Sequence, residues 1–157
     1  AAYIVGIVCE PLAEKRRPRS DSHGRVSMQY TLAEALVLGR IDKNAYRPES
    51  LADPRILAIA DKVEITVDSS FPGPERFKGA ITIVMQDGTV HETVEENNRG
   101  SAANPMAVED IIAKFDANAA DVLGASERRR LVDAILALPK AKNAADVVSL
   151  AIGRGAA

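Results

Sequence analysis

Apolar and polar positions change rhythm along this chain. Residues 1 to about 103 mix two patterns. Tyr3–Cys9, "YIVGIVC", is a short run rich in β-branched residues and reads as a buried strand. "PLAEKRRPRSDSHG" follows with two prolines and Gly24, and reads as a loop. Ser27 is placed to cap a helix from Met28 to Leu38, with Gly39 as its stop. At helical spacing Met28, Leu32, Ala35 and Leu36 share its apolar face. A second helix starts at Asp53, the cap, with Pro54 in the first helical position. Three strand patterns come next. Val63, Ile65 and Val67 alternate with Glu64 and Thr66; Ile81, Ile83 and Met85 alternate with Thr82 and Val84. Asp87-Gly88 supplies a tight hairpin turn, and Val90 and Val94 share a face of the returning strand. Between the first two strands "DSSFPGPERFKG" is too rich in Pro and Gly to be regular.

From Asn104 onward the pattern is helical only. Asn104 and Pro105 open a helix whose stripe is Val108, Ile111, Ile112, Phe115 and Val122, ended by Gly124. Ser126 opens a second, with Leu131, Ile135 and Leu138 on one face. Asn143 opens a third, which stops at Gly153. Amphipathic helices need a surface to cover. The expected class is α+β: a small domain over residues 1–103 with a mainly antiparallel sheet and helices, then C-terminal helices over 104–157. No internal repeat is visible.

Composition narrows this picture. The length of 157 residues suits one compact domain or two small ones. Aromatics make up 4% and tryptophan is absent, so Ala, Val, Ile and Leu must build the core. A net charge of -2 gives no electrostatic case for nucleic acid or an anionic membrane as partner. No stretch approaches the ~20 apolar residues that span a bilayer. The opening "AAYIVGIVCEP" has no basic leader, and a strand is expected there instead of a signal peptide. The single Cys9 leaves no internal disulfide and no cysteine metal site. A reducing, cytoplasmic compartment is the resulting expectation.

The candidate chemistry is sparse. His91 stands opposite Val90 and Val94 in the strand alternation and is expected to face solvent. His23 sits in the loop before the first long helix, where a structural or solvated role is expected. No HxxxH, CxxC or carboxylate triad stands at ligand spacing, so no metal site is expected, and there is no Gly-rich phosphate loop. Lys15, Arg16, Arg17 and Arg19 lack interleaved aromatics and read as a solvated loop. Arg128, Arg129 and Arg130 read as the polar face of their helix. Tyr30 is different. It lies two residues past Met28 and two before Leu32, pointing roughly away from both, near the edge of the apolar stripe. Its hydroxyl could then reach out of the core. Periodicity allows an amphipathic core tyrosine. It also allows a phenol at a helix N-terminus that donates a proton or hydrogen bond to an anionic substrate.

Four blocks in order resemble the MmgE/PrpD family. "GRVSMQYTLAEALVLGRI" resembles the family's KFSLQY-xxAxALLDGxV through Ser27, Met28, Gln29, Tyr30, Ala33, Ala35, Leu36 and Gly39. "SLADPRILAIADKVEI" resembles DPxVxxLxxKVxV, and "VMQDGTV" resembles its strand-turn-strand LxDGxx. "NRGSAANPMAVEDIIAKF" resembles RGSPxNPLSxEDLxxKF through Arg99, Gly100, Asn104, Pro105, Asp110, Lys114 and Phe115. Two departures are Ala107, where the family often has a capping Ser, and Val26, where Phe is common.

The family contains 2-methylcitrate dehydratases, cis-aconitate decarboxylases and iminodisuccinate epimerases. The resemblance implies a small di- or tricarboxylate substrate, proton transfer next to a carboxylate, no metal or organic cofactor, and a homodimer. It implies that residues 1–103 form a lid and that the C-terminal helices pack on a helical domain of the same enzyme, lying upstream of Ala1. Tyr30 matches the family's active-site tyrosine and is the one catalytic residue the resemblance places here. The chain carries no convincing base, so it is expected to be inactive alone. The rival expectation is a non-catalytic, lid-like module that binds a partner chain or an anion.

Overall fold

A computed structural model of the chain describes residues 2–71 and 77–151, with side chains from residue 4 onward. In chain order these residues form α1 (Ala2–Val8), α2 (Leu12–Arg16), α3 (Asp21–Gly24), α4 (Met28–Leu38), α5 (Pro48–Leu51), α6 (Pro54–Ala60), β1 (Gly79–Val84) and β2 (Val90–Glu95). α7 (Val108–Ala119), α8 (Ala125–Leu136), a 3-10 turn at Leu138–Lys140 and α9 (Ala144–Ser149) follow. The class is α+β. The chain divides into two compact units, Ala1–Asn98 and Arg99–Ala157.

The first unit is organised by α4 and α6, which pack on each other. Gly39 ends α4 at φ 69°, a left-handed conformation that favours glycine, and its N–H reaches the Ala35 carbonyl. Asp53 caps α6 by accepting the Arg55 N–H at 2.8 Å, with Pro54 at the first helical position. Tyr30 and Ala33 of α4, Ala45 and Tyr46 of the following loop, and Ile56 and Ala60 of α6 make the core. The small side chains at Ala33 and Ala60 are both fully buried. The buried face of α4 is therefore Gln29, Tyr30, Ala33 and Glu34. This corrects the expected face: Met28 and Leu36 are 37% and 54% exposed. α4 is apolar on nearly all sides, so its periodicity could not choose which side meets α6.

Four further expectations for this unit are corrected. Tyr3–Cys9 is not a strand: α1 supplies its own hydrogen bonds, continued by Cys9 N–H to the Val5 carbonyl at 2.8 Å. A short apolar run does not distinguish a strand from a helix by periodicity. "PLAEKRRPRSDSHG" is not a plain loop but holds α2 and α3, and Ser20 caps α3 by accepting the His23 N–H at 3.2 Å. Val63–Val67 is not in a strand; among the described residues the one sheet has two strands, β1 and β2. Ser27 holds the N-cap position of α4 but does not cap it, because its hydroxyl donates to the His23 carbonyl at 2.7 Å.

The hairpin matches its turn chemistry. β1 and β2 pair antiparallel from Gly79↔Glu95 to Val84↔Val90. Gly88, at φ 85°, donates to the Met85 carbonyl at 3.0 Å, and Asp87 accepts the Thr89 N–H at 2.9 Å. Met85 belongs to this turn and not to the strand. Apart from half-buried Ile83, the strand residues are exposed. Part of the irregular "DSSFPGPERFKG", residues 72–76, lies outside the described residues.

In the second unit α7 starts later than Asn104-Pro105 suggested, with Ala107 as its cap residue. Asn104 instead pairs with Ser101 in an isolated bridge, and its carbonyl accepts the N–H of Gly100 at 2.7 Å. Arg99 and Asp110 form an ion pair at 2.7 Å over the first turn of α7. Gly124 does not end α7, which stops at Ala119; it is the cap of α8, its N–H held by the Glu127 carboxylate at 2.8 Å. Arg128 ties the two helices by donating to Asp116 at 3.0 Å and to the Leu123 carbonyl at 2.6 Å. Leu123, Leu131 and Val132 are buried, while Ile111 and Ile135 are 55% and 49% exposed. Asn143 caps α9 by accepting the Ala145 N–H at 3.0 Å. The expected stop at Gly153 lies outside the described residues.

Candidate functional site

Tyr30 lies in the first turn of α4, as its place after Ser27 requires, but not at the edge of an apolar stripe. It is fully buried at the centre of the core, 0% exposed. Its hydroxyl has no hydrogen-bond partner among the described residues. A buried hydroxyl without a partner forfeits its hydration for nothing in return, a loss of about 1–3 kcal/mol. Burial holds the phenol far above the ordinary tyrosine value, and the Glu34 and Asp53 carboxylates push it the same way. At neutral pH the group is thus a neutral hydrogen-bond donor and a poor base.

Two residues that the sequence did not single out surround it. Glu34 is fully buried one helical turn after Tyr30. Its two carboxylate oxygens accept the Tyr46 N–H at 3.1 and 3.2 Å. Tyr46 sits at φ 62°, the one non-glycine residue at positive φ among those described. Its ring centroid is 6.2 Å from that of Tyr30 at an interplanar angle of 42°. Its hydroxyl shares a hydrogen bond with Thr31 Oγ1 at 3.1 Å, and the Arg25 guanidinium lies 5.8 Å from its ring centroid. Gly24 backs the ring so closely that a Cβ there would fall 2.6 Å from Tyr46 Cδ1. An open depression of about 480 Å³ borders Tyr46 and is lined also by Arg19, Ser20, Asp21 and Leu51. Glu34 had a signal: it is the one charged residue in "YTLAEALVLG". Tyr46 had none, because "NAYRP" carries no glycine to mark a left-handed turn.

The other candidates separate. His91 is exposed and His23 half-buried. The basic run is only partly the solvated loop expected: Arg17 and Arg19 are exposed, whereas Lys15 and Arg16 lie in α2 and are not. Lys15 is 5% exposed and its ammonium donates to the Val26 carbonyl at 2.7 Å, just before α4. Arg16 donates to the Val63 carbonyl at 3.0 Å, and Arg17 pairs with Asp61 at 2.5 Å. Those bonds tie α2 to the ends of α4 and α6. Arg129 pairs with Asp133 within α8. Cys9 is buried, which pushes its thiol up, away from thiolate chemistry. Among the described residues no three His, Cys, Asp or Glu side chains gather as a metal site, and no helix is long and apolar enough to cross a membrane.

Comparison with known proteins is consistent across the chain. The family described as MmgE/PrpD C-terminal domain matches residues 5–139. The chain is 36% identical over 76 residues to the 2-methylcitrate dehydratase, mitochondrial, of Yarrowia lipolytica, covering 45% of this chain and 15% of that protein. It is 26% identical over 107 residues to the cis-aconitate decarboxylase of Mus musculus, covering 68% of this chain and 22% of that protein. The matched stretch is thus a minor part of either relative's length. With the family match running from α1 to the turn after α8, the chain belongs to the MmgE/PrpD family, in its C-terminal domain.

Proposed function

We propose that this chain is the lid and C-terminal part of an MmgE/PrpD lyase or epimerase. The complete enzyme would move a proton alpha to a carboxylate of a small di- or tricarboxylate, without metal or organic cofactor. The observation that carries this reading is the Tyr30 hydroxyl, buried, protonated and without a partner in its own fold. A donor left unpaired in a core has a physical reason to be retained when a substrate oxygen takes it up once the side chains covering it move aside, since in this chain it has no exposed surface. Tyr30 would hold a substrate carboxylate, or the charge that grows on it as the alpha proton leaves. Its raised pKa fits a hydrogen-bond donor better than a proton shuttle. The base comes from elsewhere in the enzyme. The exposed Ile111 and Ile135 would pack on a helical domain of the same enzyme, and a cytoplasmic homodimer is the proposed assembly. The names of the two relatives, a dehydratase and a decarboxylase, support a lyase.

A second reading has its own support. Full burial of Tyr30 and Glu34 is what a lid-like binding module with a polar spot in its core would also have. Assaying the complete protein on methylcitrate, cis-aconitate and iminodisuccinate separates the two. Turnover of one of them is expected from the complete protein and none from the 157-residue chain, because positioning two groups around a substrate supplies much of the rate. No turnover of any by the complete protein would favour the module, and turnover by the chain alone would refute the two-part reading.

A further inference from the structure

Glu34 takes no part in the substrate contact proposed for Tyr30, yet it is a fully buried acid in the core. A carboxylate at 0% exposure is far from water, and burying one is unfavourable unless it is well bonded. Both of its oxygens accept the same group, the Tyr46 N–H. That N–H belongs to a residue in a conformation that non-glycine residues avoid. Glycine at position 46 would adopt the turn without strain, but an apolar side chain at 34 would leave the buried N–H of that turn without its acceptor. The chain instead keeps a tyrosine in a strained backbone and spends a buried acid to hold it there.

The Tyr46 ring shows what the arrangement produces. It is fixed by Gly24 behind it and by Thr31 at its hydroxyl, and it lies beside the Tyr30 ring. We propose that Glu34 is a positioning residue for Tyr30: its carboxylate locks the Tyr46 turn, and the Tyr46 ring then sets the plane and place of the Tyr30 phenol. This inference rests on the reading of Tyr30 as the group that meets substrate. Glu34 and Tyr30 share one face of α4 a single turn apart, so the acid is built into the same rigid element as the phenol it serves. Burial raises that phenol's pKa most, and the neighbouring carboxylate raises it further.

The test is a set of variants of the complete enzyme: Tyr30→Phe, Glu34→Ala, Glu34→Gln, Tyr46→Gly and the double variant Glu34→Ala with Tyr30→Phe. kcat and KM are measured per folded protein, alongside Tm. Glu34→Ala is expected to lower kcat and kcat/KM together, on the order of 10–10²-fold, as a small misplacement of a reacting group does. Tyr46→Gly, which adopts the left-handed turn without strain, should show the same loss, because the ring is gone. Glu34→Gln keeps an acceptor for the Tyr46 N–H and should largely restore kcat. The double variant should be no slower than Tyr30→Phe, since Glu34 acts through that phenol. Normal kcat in both Glu34→Ala and Tyr46→Gly, with only Tm lowered, would overturn the proposal, as would fully additive losses in the double variant. Normal turnover by Tyr30→Phe alone would overturn the reading of Tyr30 first, and this inference with it.

Discussion

Replacing Tyr30 with Phe should make the 157-residue chain more stable. Removal of a tyrosine hydroxyl with a good partner ordinarily lowers stability by about 1 kcal/mol. Here the sign should reverse. The hydroxyl is buried at 0% residue exposure and meets no partner, so the folded chain carries its desolvation uncompensated. That penalty is about 1–3 kcal/mol. Against it stand a few van der Waals contacts of one oxygen, at ~0.1–0.2 kcal/mol each. The ring keeps its volume, so no large cavity forms. The net gain should be roughly 1 kcal/mol, and for a unit of under 100 residues each kcal/mol moves Tm by about 4–8 °C. The assay is thermal melting of wild type and variant at neutral pH, followed by far-UV circular dichroism. In the complete enzyme the same substitution should cut turnover by about 10²–10³-fold if the hydroxyl donates to substrate in the transition state. A residue whose loss stabilises the fold and stops the reaction is kept for chemistry and not for packing. An unchanged or lower Tm would refute the reasoning, because it would mean that the hydroxyl is paired in solution.

The same group predicts a pH dependence: a tyrosine of pKa about 10 when unfolded is raised by burial when folded, so above pH ~10 the folded state binds more protons than the unfolded state and stability falls as pH rises. Wild type should lose Tm between pH 9 and 11 more steeply than Tyr30→Phe, by the scale of one titrating group; equal slopes would remove Tyr30 as the cause. Gly24→Ala would press a methyl into the Tyr46 ring, and overpacking of this kind destabilises by about 1–3 kcal/mol, read as a lower urea midpoint at unchanged slope. Gly39→Ala meets open space, so its loss should be the left-handed backbone penalty alone, about 1–2 kcal/mol, and Gly39→Asn should recover part of it.

The parts of the fold that sequence made legible are those fixed by local chemistry. The α4 stop at Gly39, the Asp53-Pro54 start of α6 and the Asp87-Gly88 turn each follow from one or two residues whose backbone preference acts without help from distant parts of the chain. Features decided by tertiary packing were not legible. The side of α4 that is buried depends on where α6 lies, and "YTLAEALVLG" is apolar on too many sides to say. Tyr3–Cys9 and Val63–Val67 have strand composition, but a strand needs a partner and neither has one among the described residues. Lys15 looked solvated because its local composition is polar; its ammonium is buried because the Val26 carbonyl ahead of α4 accepts it. At the candidate site Tyr30 was legible by position, its partnerless hydroxyl was not, and the left-handed Tyr46 left no trace in residue type.

The hairpin has a consequence for how the molecule opens. β1 and β2 pair over six residues each, yet almost all of their side chains face water, including Val84, Val90 and Val94. A two-stranded ribbon with so little burial is marginal by itself, and its register is held by the Asp87-Gly88 turn. Its cross-strand amides should therefore exchange with deuterium through local fraying, at a free energy well below that of the whole unit. The amides of α4 and α6, closed over Tyr30, Ile56 and Ala60, should exchange only when that unit unfolds. In the isolated chain the hairpin is thus a separate breathing element attached to a slow-exchanging pair of helices, and a surface that covers it would be detected first as a loss of deuterium uptake in residues 79–95.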